Sequence, residues 1–222
     1  MKPWERFDSA AIPGGGTMFL YRHGNDYSIR VGRDELMNSH AHGSEDALAA
    51  LASVRLGGRQ RRQVLVGGLG MGFTAAAALR DLGPDGRLTV AELVPAVVEW
   101  NRGPLAAVAG NVLADPRVSV HLGDVAGLLR TANDAYDLIL LDVDNGPRGL
   151  TSTANGWLYS ATGLRRTRTA LRRGGVLGVW SAVDDVGFTA RLRQTGFAVE
   201  VARPHAHGTR GPRHVVWLAT AG

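Results

Sequence analysis

The sequence predicts an α/β fold built on a largely parallel sheet, and three observations carry that prediction. From about Gln63 onward, short apolar runs alternate with longer helix-like segments, the rhythm of βαβ units. The runs are nearly unbroken in apolar character, as strands covered on both faces are. The first of them, Val64-Leu65-Val66, leads straight into a glycine loop that opens a helix.

Taken in order, the first 60 residues form an extension, with strands expected over 18–22 and 27–31. The turn-rich His23-Gly24-Asn25-Asp26 between them makes a β-hairpin. A helix is expected over 44–55, followed by the polar connection Gly57-Gly58-Arg59-Gln60-Arg61-Arg62. Residues 61–222 form the main domain. Its strands are expected over 63–66, 87–92, 118–122, 136–142, 176–181, 198–202 and 214–219. Helices are expected over 73–81, 95–108, 125–131, 156–171 and 184–195. Pro95 suits a first helical turn, and Gly174-Gly175 supplies a stop after Leu171. The Gly-, Pro- and His-rich segment 203–213 reads as a hairpin loop overhanging the pocket.

Composition narrows the chemistry. The chain has 222 residues, 45% of them hydrophobic and 20% charged, which is a folded globular balance. With no Cys, thiolate nucleophiles, Cys-ligated zinc, iron–sulfur clusters and disulfides are excluded. All but one of the 25 basic residues are Arg, against 20 carboxylates, and they are spread along the chain. That dispersal does not predict nucleic-acid binding. The densest group, Arg165, Arg166, Arg168, Arg172 and Arg173, reads as a solvated helix face. No signal-peptide pattern or membrane-length apolar run is present, so a cytoplasmic location is expected, without a membrane partner.

The loop Gly67-Gly68-Leu69-Gly70-Met71-Gly72 spaces Gly68, Gly70 and Gly72 as G-x-G-x-G. The dinucleotide fingerprint needs a glycine where Phe73 stands, which makes NAD the weaker ligand. Glu92 ends the second strand, about 20 residues past the loop, where an acid accepts hydrogen bonds from both ribose hydroxyls. Asp124, followed by Val125, comes after the third strand and suits an adenine amino group or a helix cap. Asp142 closes the fourth. All of these fall at the carboxyl ends of consecutive strands, the rim where open α/β sheets bind ligands.

These motifs together, with Val90-Ala91-Glu92, Asp115-Pro116-Arg117-Val118, Gly123-Asp124 and Tyr136-Asp137-Leu138-Ile139-Leu140-Leu141-Asp142, resemble the spermidine synthase family within the class I S-adenosylmethionine-dependent methyltransferase fold. The resemblance covers roughly residues 37–180. It implies a Rossmann-like seven-stranded sheet with a small N-terminal β-hairpin extension and an adenosyl-sulfonium ligand, S-adenosylmethionine or its decarboxylated form. Tyr159 matches the aromatic pair after that family's active-site loop.

The departures from the pattern shape the functional expectation. Where the family's G-G-G-D-G-G places an aspartate for the aminopropyl amine, this chain has Gly70. Its Y-H-E aligns with Gly43-Ser44-Glu45, retaining only the acid. Its D-[ST]-[ST]-D-P becomes Asp142-Val143-Asp144-Asn145-Gly146-Pro147. Fewer carboxylates are thus available to a dicationic diamine. The expected function is transfer of a methyl group from S-adenosylmethionine to a small-molecule acceptor. Asp142 is the candidate base, with Asp144 and Tyr159 as secondary candidates. Gly68, Gly70, Gly72, Glu92, Asp124, Val125 and Asp142 are the candidate cofactor-binding residues. The alternatives are aminopropyl transfer and a non-catalytic adenosyl-nucleoside-binding role. A homodimer is left open. His40 with His42, and His205 with His207, could ligate a metal, but no metal is expected. Trp157, Trp180 and Trp217 read as core, with Trp157 the candidate for substrate stacking.

Overall fold

Residues 3–143, 146–147, 156–207 and 210–222 are described by the computed structural model. The chain opens with a four-stranded antiparallel sheet, β1 (Glu5–Ala11), β2 (Thr17–His23), β3 (Asp26–Val31) and β4 (Asp34–Asn38), in sequential order. The predicted hairpin is its centre, with Met18 opposite Val31 and His23 opposite Asp26. The outer strands exceed the expected hairpin for a physical reason. β1 is exposed along nearly its whole length and β4 begins Asp-Glu, so neither shows an apolar alternation. The inner face buries the paired Leu20 and Ile29, and the Trp100 indole N–H donates to Asp8 Oδ2 at 2.7 Å, tying β1 to the main domain.

Helix α1 (Gly43–Leu56) lays Leu48, Ala49 and Ala52, all fully buried, on the main sheet. That sheet contains β5 (Gln63–Gly67), β6 (Arg87–Glu92), β7 (Val118–Leu122), β8 (Tyr136–Leu141), β9 (Leu171–Ser181), β10 (Phe197–Ala202) and β13 (Val215–Ala221). The order is β10-β13-β9-β8-β5-β6-β7, with β13 antiparallel between β9 and β10. The reversal follows from the connection: β10 and β13 are joined by the small hairpin β11 (His205–His207) and β12 (Arg210–Arg213), not by a crossover helix. The remaining helices are α2 (Phe73–Arg80), α3 (Pro95–Arg102), α4 (Val125–Thr131), α5 (Gly156–Tyr159), α6 (Ala161–Ala170) and α7 (Val186–Gln194). None is long and apolar enough to cross a membrane.

Alternate residues of each central strand face opposite apolar layers. Val64, Val66, Leu138 and Leu140 pack on the side of α1, whereas Leu65, Ile139 and Leu141 pack with Phe188 and Trp217. Two expected helices depart most from their predicted spans. α3 stops at Arg102 because Gly103-Pro104 follows, and proline disfavours helical backbone before it. The expected helix over 156–171 breaks at Ser160, whose hydroxyl accepts from Gly163 N at 3.1 Å and starts α6 afresh. β9 begins at Leu171, before the two glycines, and its pairing with β8 shifts register across them.

At the amino end of β8, Asp137 is 4% exposed and is met by Arg59 Nη1 at 3.0 Å, Arg172 Nη1 at 2.8 Å and Gln63 N at 2.8 Å. At the opposite end, β5 has β6 on one side and β8 on the other, so the winding direction reverses there. Open sheets part at such a point and leave a crevice beyond their carboxyl ends.

Candidate active site

The glycine loop leaves β5 at that crevice. Gly68 has φ +87°, and a Cβ on it would stand 2.3 Å from the Asp142 carbonyl oxygen, so only glycine lets the loop pass β8. Asp142 N in turn donates to the Gly67 carbonyl at 2.9 Å. Gly70, at φ +52°, faces a different neighbour: a Cβ there would meet Met37 Sδ at 2.6 Å. The Met37 thioether also accepts from Met71 N at 3.2 Å. It thus fills the space into which a side chain at position 70 would project.

Glu92, at the end of β6, is 8% exposed. Its Oε2 accepts from Leu69 N at 2.9 Å and its Oε1 from Val94 N at 2.8 Å. Burial pushes its pKa up, and these backbone donors oppose that shift. Each oxygen retains acceptor capacity, which matches two vicinal hydroxyls. Asp124 caps α4, accepting from Ala126 N at 2.8 Å through Oδ1, and Oδ2 remains for an amino donor.

The crevice opens into a cavity between the N-terminal sheet and the carboxyl ends of the main-sheet strands. Gly68, Gly70, Glu92, Asp124, Val125 and Asp142 line it together with Glu45 and Trp180. Asp142 accepts from the Thr74 hydroxyl at 2.5 Å through Oδ2. Its pKa is pushed up to about 6 by burial, with the Thr74 bond opposing. Glu45, on α1, is pushed up to about 7, first by burial and then by the charge of Asp142. Two carboxyls that resist simultaneous ionisation hold a proton near neutral pH as a pair.

Glu45 is held from behind. The Ser44 hydroxyl donates to its Oε2 at 2.5 Å, and His214 Nδ1 lies 2.8 Å from the same hydroxyl. With the serine proton committed to Glu45, the imidazole donates through Nδ1–H. Burial lowers the pKa of His214 and favours the neutral ring. The ring also meets Trp180 edge to face, with centroids 4.8 Å apart. The Trp180 indole nitrogen is buried without a hydrogen-bond partner.

Other candidates fall elsewhere. Gly72 caps α2 and packs against Asn101, Ala109 and Val112, outside the cavity lining. Tyr159 is 4% exposed, packs edge to face with Phe188, and its hydroxyl points to the Val143 carbonyl at 3.4 Å; it does not line the cavity. Asp144 lies outside the described residues. Trp180 is buried in the core as expected and also lines the cavity, and Trp157 lies beneath the Arg130 guanidinium, 4.3 Å from its ring centroid. His42 pairs with Asp46 at 2.8 Å and His40 with Asp26 at 3.0 Å. No group of three or more metal-type ligands occurs among the described residues.

The sequence reading did not find Ser44, His214, Met37 or Thr74. Ser44 and His214 are 170 positions apart and meet only because α1 crosses the sheet beside β13. Thr74 was visible as a polar residue two places after the last loop glycine.

Comparison with known proteins gives a consistent picture. Over 116 residues, 52% of this chain, the sequence is 36% identical to a polyamine aminopropyltransferase of Nitrosomonas europaea. The chain spans only about a third of that relative's length, 34%. A spermidine synthase from Thermotoga maritima shares the fold over 98% of this chain and 73% of its own, with a TM-score of 0.77 at 17% identity. A spermidine synthase in complex with the transition state analogue AdoDATO matches over 98% of this chain and 72% of its own, with a TM-score of 0.76 at 16% identity. The family model for the spermine/spermidine synthase domain matches residues 51–183, a span that contains the glycine loop, Glu92, Asp124 and Asp142. With more than half of its length matched by that model, the chain belongs to the spermine/spermidine synthase domain family.

Proposed function

We propose that this protein transfers an aminopropyl group from decarboxylated S-adenosylmethionine to an amine acceptor. The observation that carries the proposal is the charge of the cavity. Glu45, Glu92, Asp124 and Asp142 line it, and no Lys, Arg or His does so among the described residues. This holds in a chain whose formal net charge is +5. Carboxyls gathered in a mostly apolar wall favour a cation. The decarboxylated donor brings a sulfonium and an ammonium. S-adenosylmethionine would add a carboxylate that finds no cationic partner there. The pocket as a whole therefore outweighs the argument for methyl transfer drawn from Gly70 alone, and family membership supports the same reading.

In this reading, Glu92 receives the ribose hydroxyls and Asp124 the adenine amino group. The acceptor nitrogen attacks the aminopropyl carbon next to sulfur, the carbon–sulfur bond breaks, and methylthioadenosine leaves neutral. Asp142 takes the proton lost by the new secondary amine, a role suited to a carboxylate whose pKa has been raised toward neutrality. Methyl transfer remains a second reading because Met37 fills the place of a side chain at position 70.

Parallel calorimetric titration with decarboxylated S-adenosylmethionine, S-adenosylmethionine, methylthioadenosine and NAD, followed by mass spectrometry of turnover mixtures, tests the proposal. Tighter binding of the decarboxylated donor and release of methylthioadenosine are expected. Tighter binding of S-adenosylmethionine, with a methylated product, would reverse the assignment. Binding without turnover of any acceptor would indicate a nucleoside-binding protein.

A further inference from the structure

We propose that the acceptor is a monoamine with an apolar body rather than a diamine, an inference that rests on the aminopropyl-transfer reading. The cavity has two chemically different halves. Every lining residue that comes from the N-terminal sheet and its loops is apolar, among them Ile12, Met18, Ile29, Val31, Leu36 and Met37. The four carboxyls of the described lining stand on α1 and at the ends of main-sheet strands.

Those carboxyls have little capacity to spare. Glu92 is fixed by the Leu69 and Val94 amides at the ribose position, and Asp124 caps α4. Glu45 and Asp142 remain for the sulfonium, the donor-arm ammonium and the attacking nitrogen. A diamine would carry a further ammonium to the distal half, where, among the described residues, it would meet only hydrocarbon and thioether. An unpaired charge in such surroundings is strongly disfavoured.

The N-terminal sheet does contain acids, but they serve elsewhere. Asp8 accepts from the Trp100 indole at 2.7 Å, Asp26 faces His40 at 3.0 Å, and Glu35 accepts from the Ser28 hydroxyl at 2.7 Å with Arg30 3.5 Å away. Glu5 and Asp34 are exposed. None of the five lines the cavity. An alkyl or aryl tail, by contrast, would remove apolar surface from water on both sides.

The test is calorimetry on protein saturated with methylthioadenosine, titrated with n-hexylamine, phenethylamine and 1,4-diaminobutane. In parallel, mass spectrometry follows products formed from the decarboxylated donor. A monoamine should bind at least about tenfold more tightly than the diamine. Leu36→Asp should move the preference toward the diamine while methylthioadenosine affinity stays unchanged, and Met18→Asp serves if the first variant does not fold. Tighter binding of the diamine to the wild type, or binding of none of the three amines, would overturn the inference. Monoamine preference without any aminopropylated product would uphold the selectivity of the cavity and remove the transfer reading instead.

Discussion

Replacing Glu45 with Gln isolates the energetic consequence of placing two carboxyls in one cavity. Burial and the charge of Asp142 raise the Glu45 pKa from its ordinary 4.5 to about 7. The protonated form is therefore favoured by folding. The associated stability is fully present below about pH 4.5 and is lost as pH rises through about 7. At 1.36 kcal/mol per unit, and reduced because Asp142 shares the proton, the loss is on the order of 2 kcal/mol. For a domain of this size that corresponds to a fall in melting midpoint of roughly 4–8 °C between pH 5 and pH 8 without ligand. Gln keeps an oxygen for the Ser44 hydroxyl and removes the titration. The variant should melt with the wild type at pH 5 and above it at pH 8. His214 acts in the opposite sense, since its lowered pKa withdraws stability as pH falls through the usual histidine range. The decisive quantity is thus the difference between the two proteins, followed by circular dichroism at several pH values. Parallel profiles would refute the reasoning.

Other expectations follow from the same geometry. Asp142→Asn should leave methylthioadenosine affinity nearly intact while lowering turnover by on the order of 10²-fold or more, and equal turnover would make Asp142 structural. Glu92→Ala should weaken nucleoside binding by roughly 1.5–3 kcal/mol, measured by calorimetry on folded protein; unchanged affinity would remove Glu92 from the site. Gly68→Ala should lower unfolding stability by more than about 2 kcal/mol in urea, because the new carbon meets the Asp142 carbonyl from a left-handed backbone. Affinity for the decarboxylated donor should rise roughly tenfold from pH 5 to pH 8 as Glu45 and Asp142 ionise, and a flat profile would exclude them as its counter-charges.

The parallel part of the sheet was readable because its strands are continuous apolar runs whose ends carry the polar residues. Glu92, Asp124 and Asp142 are legible for that reason, since each stands at or just past the end of such a run, on the rim where open sheets bind ligands. Strand β1 was hidden by its own exposure, with Glu5, Arg6, Asp8 and Ser9 giving no apolar period. The aromatic at Tyr159 fitted a sequence pattern, yet its neighbours Phe188 and Val143 come from distant parts of the chain and keep it in the core. Charge was harder still to read. The motif departures suggest a site poor in acid even with Glu45 retained, but the absence of basic residues from the described lining is a property of the assembled cavity. Long-range pairings such as Ser44 with His214 have no local sequence signal.

Strand β8 carries one acid near its start and another just past its end, with opposite surroundings. Asp137 is clasped by two guanidinium groups and a backbone amide, whereas Asp142 has a hydroxyl and a neighbouring acid. The first is neutralised by the chain itself; the second has no cationic partner among the described residues. A cation bound there, as the proposed donor would be, would complete the electrostatics of the folded protein, and occupancy would add stability that grows with the logarithm of its concentration. In a cell, a chain holding the proposed sulfonium donor would open less often and be cleared more slowly by proteases.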